Sequence, residues 1–273
     1  MERCRLCGGA VGERFRLMVR GRHEVGYGEC GQCGSLQTER PYWLEEVYGG
    51  PNLDVDVGFL RRNLLTAALT AEVLRAAGIG EEDVCLDWGA GRGLFCRMMR
   101  DAGFNFHAWD RYADCEIVAA YRIERPEEIQ PRAVTAFEVF EHFAEPAAEL
   151  EGIMGLGAEL VVFSTDVYEG QGADWWYLDP LTGQHVFFYS RAALEWIARR
   201  HGRKLVALGM AWAFVPEGSA VEEGPWLERG IDRLAAELKH DAWRGVGRDY
   251  QAMLARRTLT EQASGTPPDR PED

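Results

Sequence analysis

Two hydrophobic periods alternate along most of the chain. Short apolar runs such as VCLDW and ELVVFST, bounded by glycine or polar residues, predict β-strands. Between them, apolar residues recur three or four positions apart, which predicts amphipathic α-helices. The predicted strands are 83–88, 104–110, 133–140 and 159–165, with two more in KLVALGM and AWAFVP, and the predicted helices are 58–77, 94–103, 146–157 and 191–202. Strands alternating with helices indicate an α/β fold with a mostly parallel sheet.

The flanking segments divide the chain further. A Gly49-Gly50-Pro51 break predicts a turn in a connector after the first strands. Beyond the α/β region, apolar residues return partly at helical spacing, and the last residues, ASGTPPDRPED, are typical of disorder. The predicted organisation is a cysteine-containing module with its connector (1–50), the α/β domain (51–220), a C-terminal helical extension (221–262) and a disordered tail (263–273). The extension is expected to pack across the domain, with a homodimer contact as the alternative.

Composition limits the kind of protein. The 273 residues are 47% hydrophobic and 27% charged, as in globular proteins. No apolar stretch approaches the roughly 20 residues that span a bilayer, and the first residues lack a secretory signal, so a cytoplasmic protein without a membrane contact is expected. The net charge of −14 argues against nucleic acid as a partner, because phosphate binding needs clustered Lys and Arg.

Four cysteines near the N-terminus form two Cys-x-x-Cys pairs, CRLC and CGQC, separated by 22 residues. Two such pairs predict a tetrahedral zinc site, with Cys4, Cys7, Cys30 and Cys33 as ligands in a small zinc ribbon. Four thiolates leave no open coordination position, so a structural zinc is favoured over a ribbon surface that binds a partner or substrate. His23 is at most a spare ligand, and the remaining cysteines, Cys85, Cys96 and Cys115, are predicted core residues.

A glycine-rich segment, LDWGAGRG, follows the first strand of the α/β region. Ligands of such sheets bind beyond the carboxyl ends of the strands, where this segment lies. A dinucleotide fingerprint requires glycine or alanine where this chain has Leu94. A carboxylate at Asp87 would repel a pyrophosphate and attract an amino group. The segment therefore favours a ligand with a cationic, amino-acid-like part.

These residues resemble the first motif, D/E-x-G-x-G-x-G, of class I S-adenosylmethionine-dependent methyltransferases. The strand FHAWD ending in Asp110, the segment AFEVFEHFAEP, the strand VVFSTDV and the stretch GQHVFFYSRAALEWIARRHG resemble further motifs of that family, in order. The similarity covers roughly residues 57–216. It implies a Rossmann-like, seven-stranded, mostly parallel sheet with helices on both faces, and S-adenosylmethionine as cofactor.

The resemblance also implies a cofactor site. Glycines let the backbone approach the methionine part, Asp87 orders the turn and the amino group, and Asp110 accepts hydrogen bonds from the ribose. Glu138 either faces the methionine end or orders a loop. The residues implied in cofactor binding are Asp87, Gly89, Ala90, Gly91, Gly93, Asp110, Arg111 and Glu138. The adenine pocket stays open, with Arg122 and Ile123 as candidates.

Methyl transfer to a hydroxyl needs a proton acceptor, and histidine suits that step. His142 and His185 are the candidates by their position near the cleft, with Glu141 orienting or replacing either one and Tyr189 as a further polar candidate. The other histidines have ordinary explanations: core packing for His107 and solvent exposure for His201 and His240.

The acceptor is predicted only as a class. Trp175, Trp176 and Tyr177 either stack on a substrate or form a lid packed on the core. N-terminal four-cysteine ribbons joined to such domains resemble methyltransferases acting on sugars, nucleotide-linked sugars or secondary metabolites. The further C-terminal domain of sugar C-methyltransferases is missing here, which favours O-methylation of a small molecule. The alternatives are C- or N-methylation, RNA methylation, or a non-catalytic cofactor- or partner-binding protein.

Overall fold

The computed structural model of the chain describes residues 3–48, 57–239 and 244–264, without the side chains of 238, 239, 244 and 257–264. The predicted turn at Gly49-Gly50-Pro51, His240 and residues 265–273 of the predicted tail lie outside these ranges.

The described residues form ten strands and seven helices. The strands are β1 (Val11–Val19), β2 (His23–Cys30), β3 (Leu36–Thr38), β4 (Val84–Trp88), β5 (Asn105–Trp109), β6 (Ala133–Ala136), β7 (Leu160–Phe163), β8 (Phe187–Phe188), β9 (Arg203–Ala207) and β10 (Trp212–Pro216). The helices are α1 (Leu44–Tyr48), α2 (Phe59–Ala76), α3 (Leu94–Asp101), α4 (Pro146–Gly155), α5 (Arg191–Arg200), α6 (Trp226–Lys239) and α7 (Arg244–Ser264). Four short 3₁₀ helices connect them, at Glu116–Tyr121, Pro126–Glu128, Phe140–His142 and Trp176–Leu178.

The main sheet has the strand order β5-β4-β6-β7-β10-β9. Neighbours among β5, β4, β6 and β7 are parallel, and β10 is antiparallel to both β7 and β9. Five of the six strands thus run in one direction, so the α/β fold with a mostly parallel sheet is confirmed, as a mixed sheet.

The predicted seventh strand is not found among the described residues. At the β5 edge, the only further pairing is a single parallel bridge between Ala108 and Arg122. The segment between β5 and β6 forms two 3₁₀ helices instead, and it contains Pro126 and Pro131. Proline has no N–H to donate to a strand ladder, so a full strand cannot form through these positions.

Helices cover both faces of the main sheet, as predicted. Along β4, Cys85 joins one hydrophobic core, whereas Leu86 and Trp88 join the core on the opposite face. The first core is shared with α2 and α3, and the second with α4 and α5. Alternation along a strand thus buries both faces under helices.

The C-terminal extension packs on the first of these faces. Helix α6 lies against α2, and Trp226 at its start is buried in the core. Helix α7 is joined to α3 by an ion pair in which Arg100 donates to both oxygens of Asp249, each over 2.8 Å. Because α7 continues to Ser264, the predicted tail boundary at 263 lies inside a helix.

The N-terminal module forms a second, four-stranded sheet with the order β1-β2-β3-β8. Strand β8 comes from the segment predicted to belong to the α/β domain, and it pairs with β3 through Leu36 and Gln37. The backbone N–H of Thr38 also donates to the carbonyl of Val186 over 3.0 Å. The module is therefore attached to the α/β domain by a shared sheet.

Candidate active site

The turn between β4 and α3, residues 89–93 (the glycine turn), is held by its own packing. Gly89 and Gly93 have left-handed φ angles of 73° and 88°. A Cβ atom on Gly89 would lie 2.6 Å from Val139, and one on Gly93 would lie 2.3 Å from Val118. At Gly91, also left-handed, a Cβ would meet nothing within 4 Å. Two of the three glycines are thus required by the protein itself, and only Gly91 leaves open space beside the backbone.

Asp110, just after β5, organises this turn. Its Oδ2 accepts a hydrogen bond from the Gly91 N–H over 2.8 Å, and its Oδ1 accepts from the N–H groups of Tyr112 and Ala113 over 2.7 and 2.8 Å. Gly89 and Ala90 both donate to the carbonyl of Trp109. A carboxylate has about four acceptor positions, so one remains for a ligand hydroxyl.

Asp87, the last acidic residue before the turn, is buried within β4. Its Oδ1 accepts a hydrogen bond from the Thr135 hydroxyl over 2.9 Å. Burial, together with the charge of Asp110, raises the pKa of Asp87 to about 7, while the Thr135 hydroxyl acts in the opposite direction. Its buried carboxyl group therefore titrates near neutral pH.

Glu138 does not lie on a strand. The predicted strand 133–140 ends at Ala136, and Glu138 follows with a left-handed φ of 56°. Ser164, just after β7, accepts from the Glu138 N–H over 2.7 Å and donates to its Oε1 over 2.8 Å. Arg62 of α2 lies 3.5 Å from Oε2. A strained backbone held this firmly is common at functional sites.

Two cavities meet beside the glycine turn, at the carboxyl edge of the main sheet. The smaller has a volume of about 430 Å³ and the larger about 710 Å³. Both are lined by Gly89, Gly91, Glu138, His142 and Gln184. Together they form one cleft, and the five shared residues line the junction between the two cavities.

The smaller cavity contains the residues around Asp110. Its walls include Trp109, and its rim includes Tyr48 and Tyr112, whose rings stack with centroids 4.2 Å apart. Arg111 lies here as well, paired with both carboxylate oxygens of Glu149. Planar and polar groups thus surround a space of nucleoside size.

The larger cavity has a mixed wall. Arg62 and Asn63 of α2 and Asp87 line it on the side of the main sheet. Trp176 and Leu181 line the opposite side and are 73% and 71% exposed. The neighbouring Tyr177 is buried against the core. Of the two predicted roles for the aromatic segment, a lid packed on the core describes Tyr177, whereas Trp176 faces the cavity.

Glu141, His142 and His185 form a compact group beside the cleft, in which His142 lines both cavities and His185 lines the larger one; it is named here the Glu-His-His cluster. One ligand-type atom from each side chain lies within 4.8 Å of the others. Nε2 of His142 is 4.0 Å from Oε1 of Glu141, and Nδ1 of His142 is 3.3 Å from the Tyr48 hydroxyl. Nδ1 of His185 donates to the carbonyl of Tyr177 over 2.6 Å, so its Nε2 carries the lone pair.

Burial dominates the acid–base character of this cluster. It raises the pKa of Glu141 well above its ordinary value, and the charge of Glu138 adds to the rise. It lowers the pKa of His142 well below its ordinary value, with a contribution from His185, and lowers the pKa of His185 as well. All three side chains are therefore driven toward their neutral forms.

Tyr189, a polar candidate from the sequence, does not line the cleft. Its ring is buried, and its hydroxyl donates to the carbonyl of Phe140 over 3.2 Å. We therefore remove it from the catalytic candidates.

The four N-terminal cysteines converge, although none is disulfide-bonded. Their Sγ atoms all lie within 4.8 Å of one another, with Cys4 and Cys33 at 3.7 Å and Cys7 and Cys30 at 3.5 Å. Tetrahedral zinc with Zn–S bonds of about 2.3 Å separates its sulfur ligands by about 3.8 Å. Gly8 and Gly34 close the two turns in left-handed conformations. This four-cysteine cluster therefore fits the predicted ion.

Among the cleft residues that the sequence reasoning missed are three from separate segments. Tyr48 comes from the connector, Arg62 from the first helix of the α/β domain, and Gln184 from the segment before β8. Tyr48 and Arg62 belong to no recognisable motif. Only Gln184 had a signal, since it precedes a histidine that was itself a candidate.

Comparison with solved structures finds similarities at low sequence identity. A Burkholderia thailandensis 1,6-didemethyltoxoflavin N1-methyltransferase, solved with S-adenosylhomocysteine, aligns with 13% identity and a TM-score of 0.48, covering 73% of this chain and 96% of that one. The magnesium protoporphyrin IX methyltransferase of Synechocystis PCC 6803 aligns with 13% identity and a TM-score of 0.41, covering 64% and 92%. An O-methyltransferase of neocarzinostatin biosynthesis aligns with 13% identity and a TM-score of 0.46, covering 64% and 61%. These similarities are too low to argue for a substrate.

The sequence itself gives the firmer result. No curated protein sequence matches the chain. Within the described residues, every helix is too short or too polar to cross a bilayer. A family model described as a methyltransferase domain matches residues 60–208, which is 149 of the 273 residues. The chain therefore belongs to this methyltransferase family, and its predicted resemblance to S-adenosylmethionine-dependent methyltransferases is confirmed.

Proposed function

We propose that this protein transfers the methyl group of S-adenosylmethionine to a hydroxyl oxygen of a small molecule that has an apolar face. The observation that carries the proposal is the pair of adjoining cavities, whose junction is lined by Glu138 and His142 among other residues. In-line transfer needs a cofactor on one side of such a point and an acceptor on the other.

The smaller cavity suits the nucleoside part of the cofactor. Asp110 has one acceptor position left for a ribose hydroxyl, and Trp109 and Tyr112 offer planar surfaces for the base. Arg111 shapes this wall through its pair with Glu149. The proposal keeps Asp110 and Arg111 in cofactor binding.

The methionine part then lies along Gly91, toward the larger cavity. Asp87 and Glu138 provide carboxyl groups for its ammonium group and for the field around the sulfonium, and Arg62 provides a cation for its carboxylate. The cofactor supplies a methyl group bonded to a positively charged sulfur. An acidic lining therefore favours binding of the positively charged cofactor over that of its uncharged thioether product.

The acceptor enters from the opposite side of the larger cavity. Exposed Trp176 and Leu181 lie at its wall, and apolar groups exposed beside a cavity are typical of binding surfaces. This favours a secondary metabolite or another molecule with a planar or alkyl face. A polar sugar attached to such a face fits equally.

The acceptor proton has a nearby destination. His185 Nε2 carries a lone pair because Nδ1 donates to Tyr177, and His142 lies at the junction with its Nδ1 toward Tyr48. Glu141 lies beside both histidines. We assign proton removal to this cluster, with His142 nearest the cofactor.

The four-cysteine cluster is proposed to hold a structural zinc ion. It lies on the module that supplies Tyr48 to the cleft and pairs with β8 two residues after His185. The zinc holds these wall residues in place and takes no part in the transfer.

The test combines cofactor binding with product formation. Calorimetry with S-adenosylmethionine is followed by incubation with hydroxylated aromatics, alkyl compounds and sugar nucleotides, using S-adenosylhomocysteine release as the common readout. We expect binding and turnover with at least one acceptor. His142→Gln is expected to bind the cofactor normally and to lose about 100-fold or more in kcat, whereas the matched control His201→Gln, which lies outside both cavities, retains turnover.

Two results would contradict the proposal. Cofactor binding without S-adenosylhomocysteine release from any acceptor favours a non-catalytic binding protein. A methyl group found on carbon or nitrogen of the product corrects the atom assigned here and keeps the cofactor assignment.

A further inference from the structure

Glu141 is a buried acidic residue beside the cleft. Its side chain is fully buried and neither carboxylate oxygen is in hydrogen-bond geometry with a described residue, while the nearby Tyr177 side chain only partly offsets the rise of its pKa. A buried carboxyl group without partners is costly, and native proteins rarely retain one without a ligand, an ion or a function. The two side chains beside it, His142 and His185, are metal-ligating types.

The two histidines are oriented as metal ligands are. In metal sites, the ring nitrogen away from the ion usually contacts a carbonyl or another polar group, which fixes the tautomer. Nδ1 of His185 donates to the Tyr177 carbonyl over 2.6 Å. Nδ1 of His142 is 3.3 Å from the Tyr48 hydroxyl, and its Nε2 is the nitrogen 4.0 Å from Glu141. Both outer contacts are therefore in place.

From this arrangement we propose that Glu141, His142 and His185 bind a divalent transition-metal ion. Two imidazoles and one carboxylate suit Zn²⁺, Fe²⁺, Co²⁺ and Mn²⁺ better than Ca²⁺ or Mg²⁺, which prefer oxygen ligands. Bonds of about 2.1 Å hold ligand atoms about 3.0–3.4 Å apart, so the groups, now within 4.8 Å, draw together by about 1 Å when the ion binds.

Three protein ligands leave open positions, and His142 and His185 both line the larger cavity. An acceptor hydroxyl bound at an open position would ionise more readily, and its proton would pass to water in the larger cavity, because the ion would occupy the lone pairs of both histidines. This consequence rests on the proposed function, whereas the binding of the ion is independent of that function.

The experiment counts metal ions in the full chain. Protein purified with zinc in the four-cysteine cluster is titrated with Co²⁺, used as the probe, and the bound metals are measured by elemental analysis and by visible absorption. We expect two ions per chain, with the second giving a Co²⁺ spectrum that lacks the thiolate charge-transfer band of a cysteine site.

Variants locate the second ion. Glu141→Gln preserves the shape of the side chain and removes the charged ligand, and His185→Gln removes an imidazole. Each variant should keep the ion of the four-cysteine cluster and bind the second ion about 10-fold or more weakly than the wild type does. His201→Gln is the matched control and should bind two. Circular dichroism confirms that the variants are folded.

One ion per chain in the metal-replete wild type would overturn the proposal, as would a second ion that persists in both Glu141→Gln and His185→Gln. Methyl transfer is measured separately on the same samples. Two bound ions without methyl transfer would support the metal site and contradict the proposed function. Methyl transfer by wild-type protein that binds one ion would contradict the metal site and support the proposed function.

Discussion

Replacing the buried Asp87 with asparagine should change how stability depends on pH. In the folded protein its pKa is raised from the ordinary value of 3.8 to about 7, mainly by burial. Because the folded pKa is the higher one, the stabilisation linked to this group is complete below about pH 4 and is lost as pH rises through about 7. The amide oxygen of the Asp87→Asn variant would still accept the Thr135 hydrogen bond, but its side chain would not titrate.

The size of the effect follows from the two pKa values. Each pH unit between them corresponds to about 1.4 kcal/mol. With a pKa of 3.8 in the unfolded chain and about 7 in the folded one, the free energy of unfolding that the protein loses through ionisation of Asp87 is about 2–3 kcal/mol larger at pH 8 than at pH 5. The wild type should therefore lose that much more stability than Asp87→Asn over this interval.

Urea unfolding of the cofactor-free protein at several pH values, at constant zinc, measures the difference. Asp83→Asn is the matched control, since Asp83 begins the same region of the chain but has a lowered pKa, first through the Gly80 N–H and also through Arg132. The free energy of unfolding of Asp83→Asn should depend on pH in the same way as that of the wild type between pH 5 and 8. Parallel pH profiles for wild type and Asp87→Asn would refute the account of Asp87 as a carboxyl group neutralised by burial.

Three further predictions concern stability, acceptor binding and zinc. Asp249→Ala leaves the buried guanidinium of Arg100 without its ion-pair partner and should lower the free energy of unfolding by about 3–5 kcal/mol in chemical denaturation. Asp101→Ala removes a more exposed partner of Arg97 and should lower it by about 1 kcal/mol or less. Equal losses of stability in the two variants would contradict the importance of the bidentate pair. Trp176→Ala should raise KM for the acceptor about 10-fold with little change in the Kd of S-adenosylmethionine, and an unchanged KM would exclude stacking on Trp176. Removing zinc with a chelator should expose the four-cysteine cluster to thiol reagents and reduce methyl transfer while S-adenosylmethionine still binds; full activity of zinc-free protein would show that the module does not support the cleft.

The sequence predicted the main fold because its signals are local. The apolar runs that became β4, β5 and β7 and the amphipathic spacing of α2, α4 and α5 are read within a single element. The seventh strand was an inference from the family alone, and at that edge the described residues form a single bridge at Arg122, beyond which Pro126 and Pro131 cannot donate to a ladder. Glu138 was placed on a strand because its neighbours are apolar, but the strand ends two residues earlier, at a backbone turn that no apolar pattern reports.

The site was predictable where a motif carried it. The glycine turn, Asp110 and the two histidines lie at the cleft as the motif order suggested. The roles of the glycines differ from that expectation, because Gly89 and Gly93 make room for Val139 and Val118. Tyr48 depends on contacts between segments 94 residues apart, which spacing along the chain cannot reveal.

The shared sheet separates two tasks within one cleft. The groups proposed to hold the cofactor follow strands of the six-stranded sheet, whereas His185 and the exposed Trp176 lie in the segment that leads into β8 and joins the other sheet. Residues 176–182 contribute to the larger cavity and not to the smaller one, so substitutions there can alter acceptor preference without disturbing the nucleoside side. For protein engineers, these residues are accordingly the place to begin a library aimed at new acceptors.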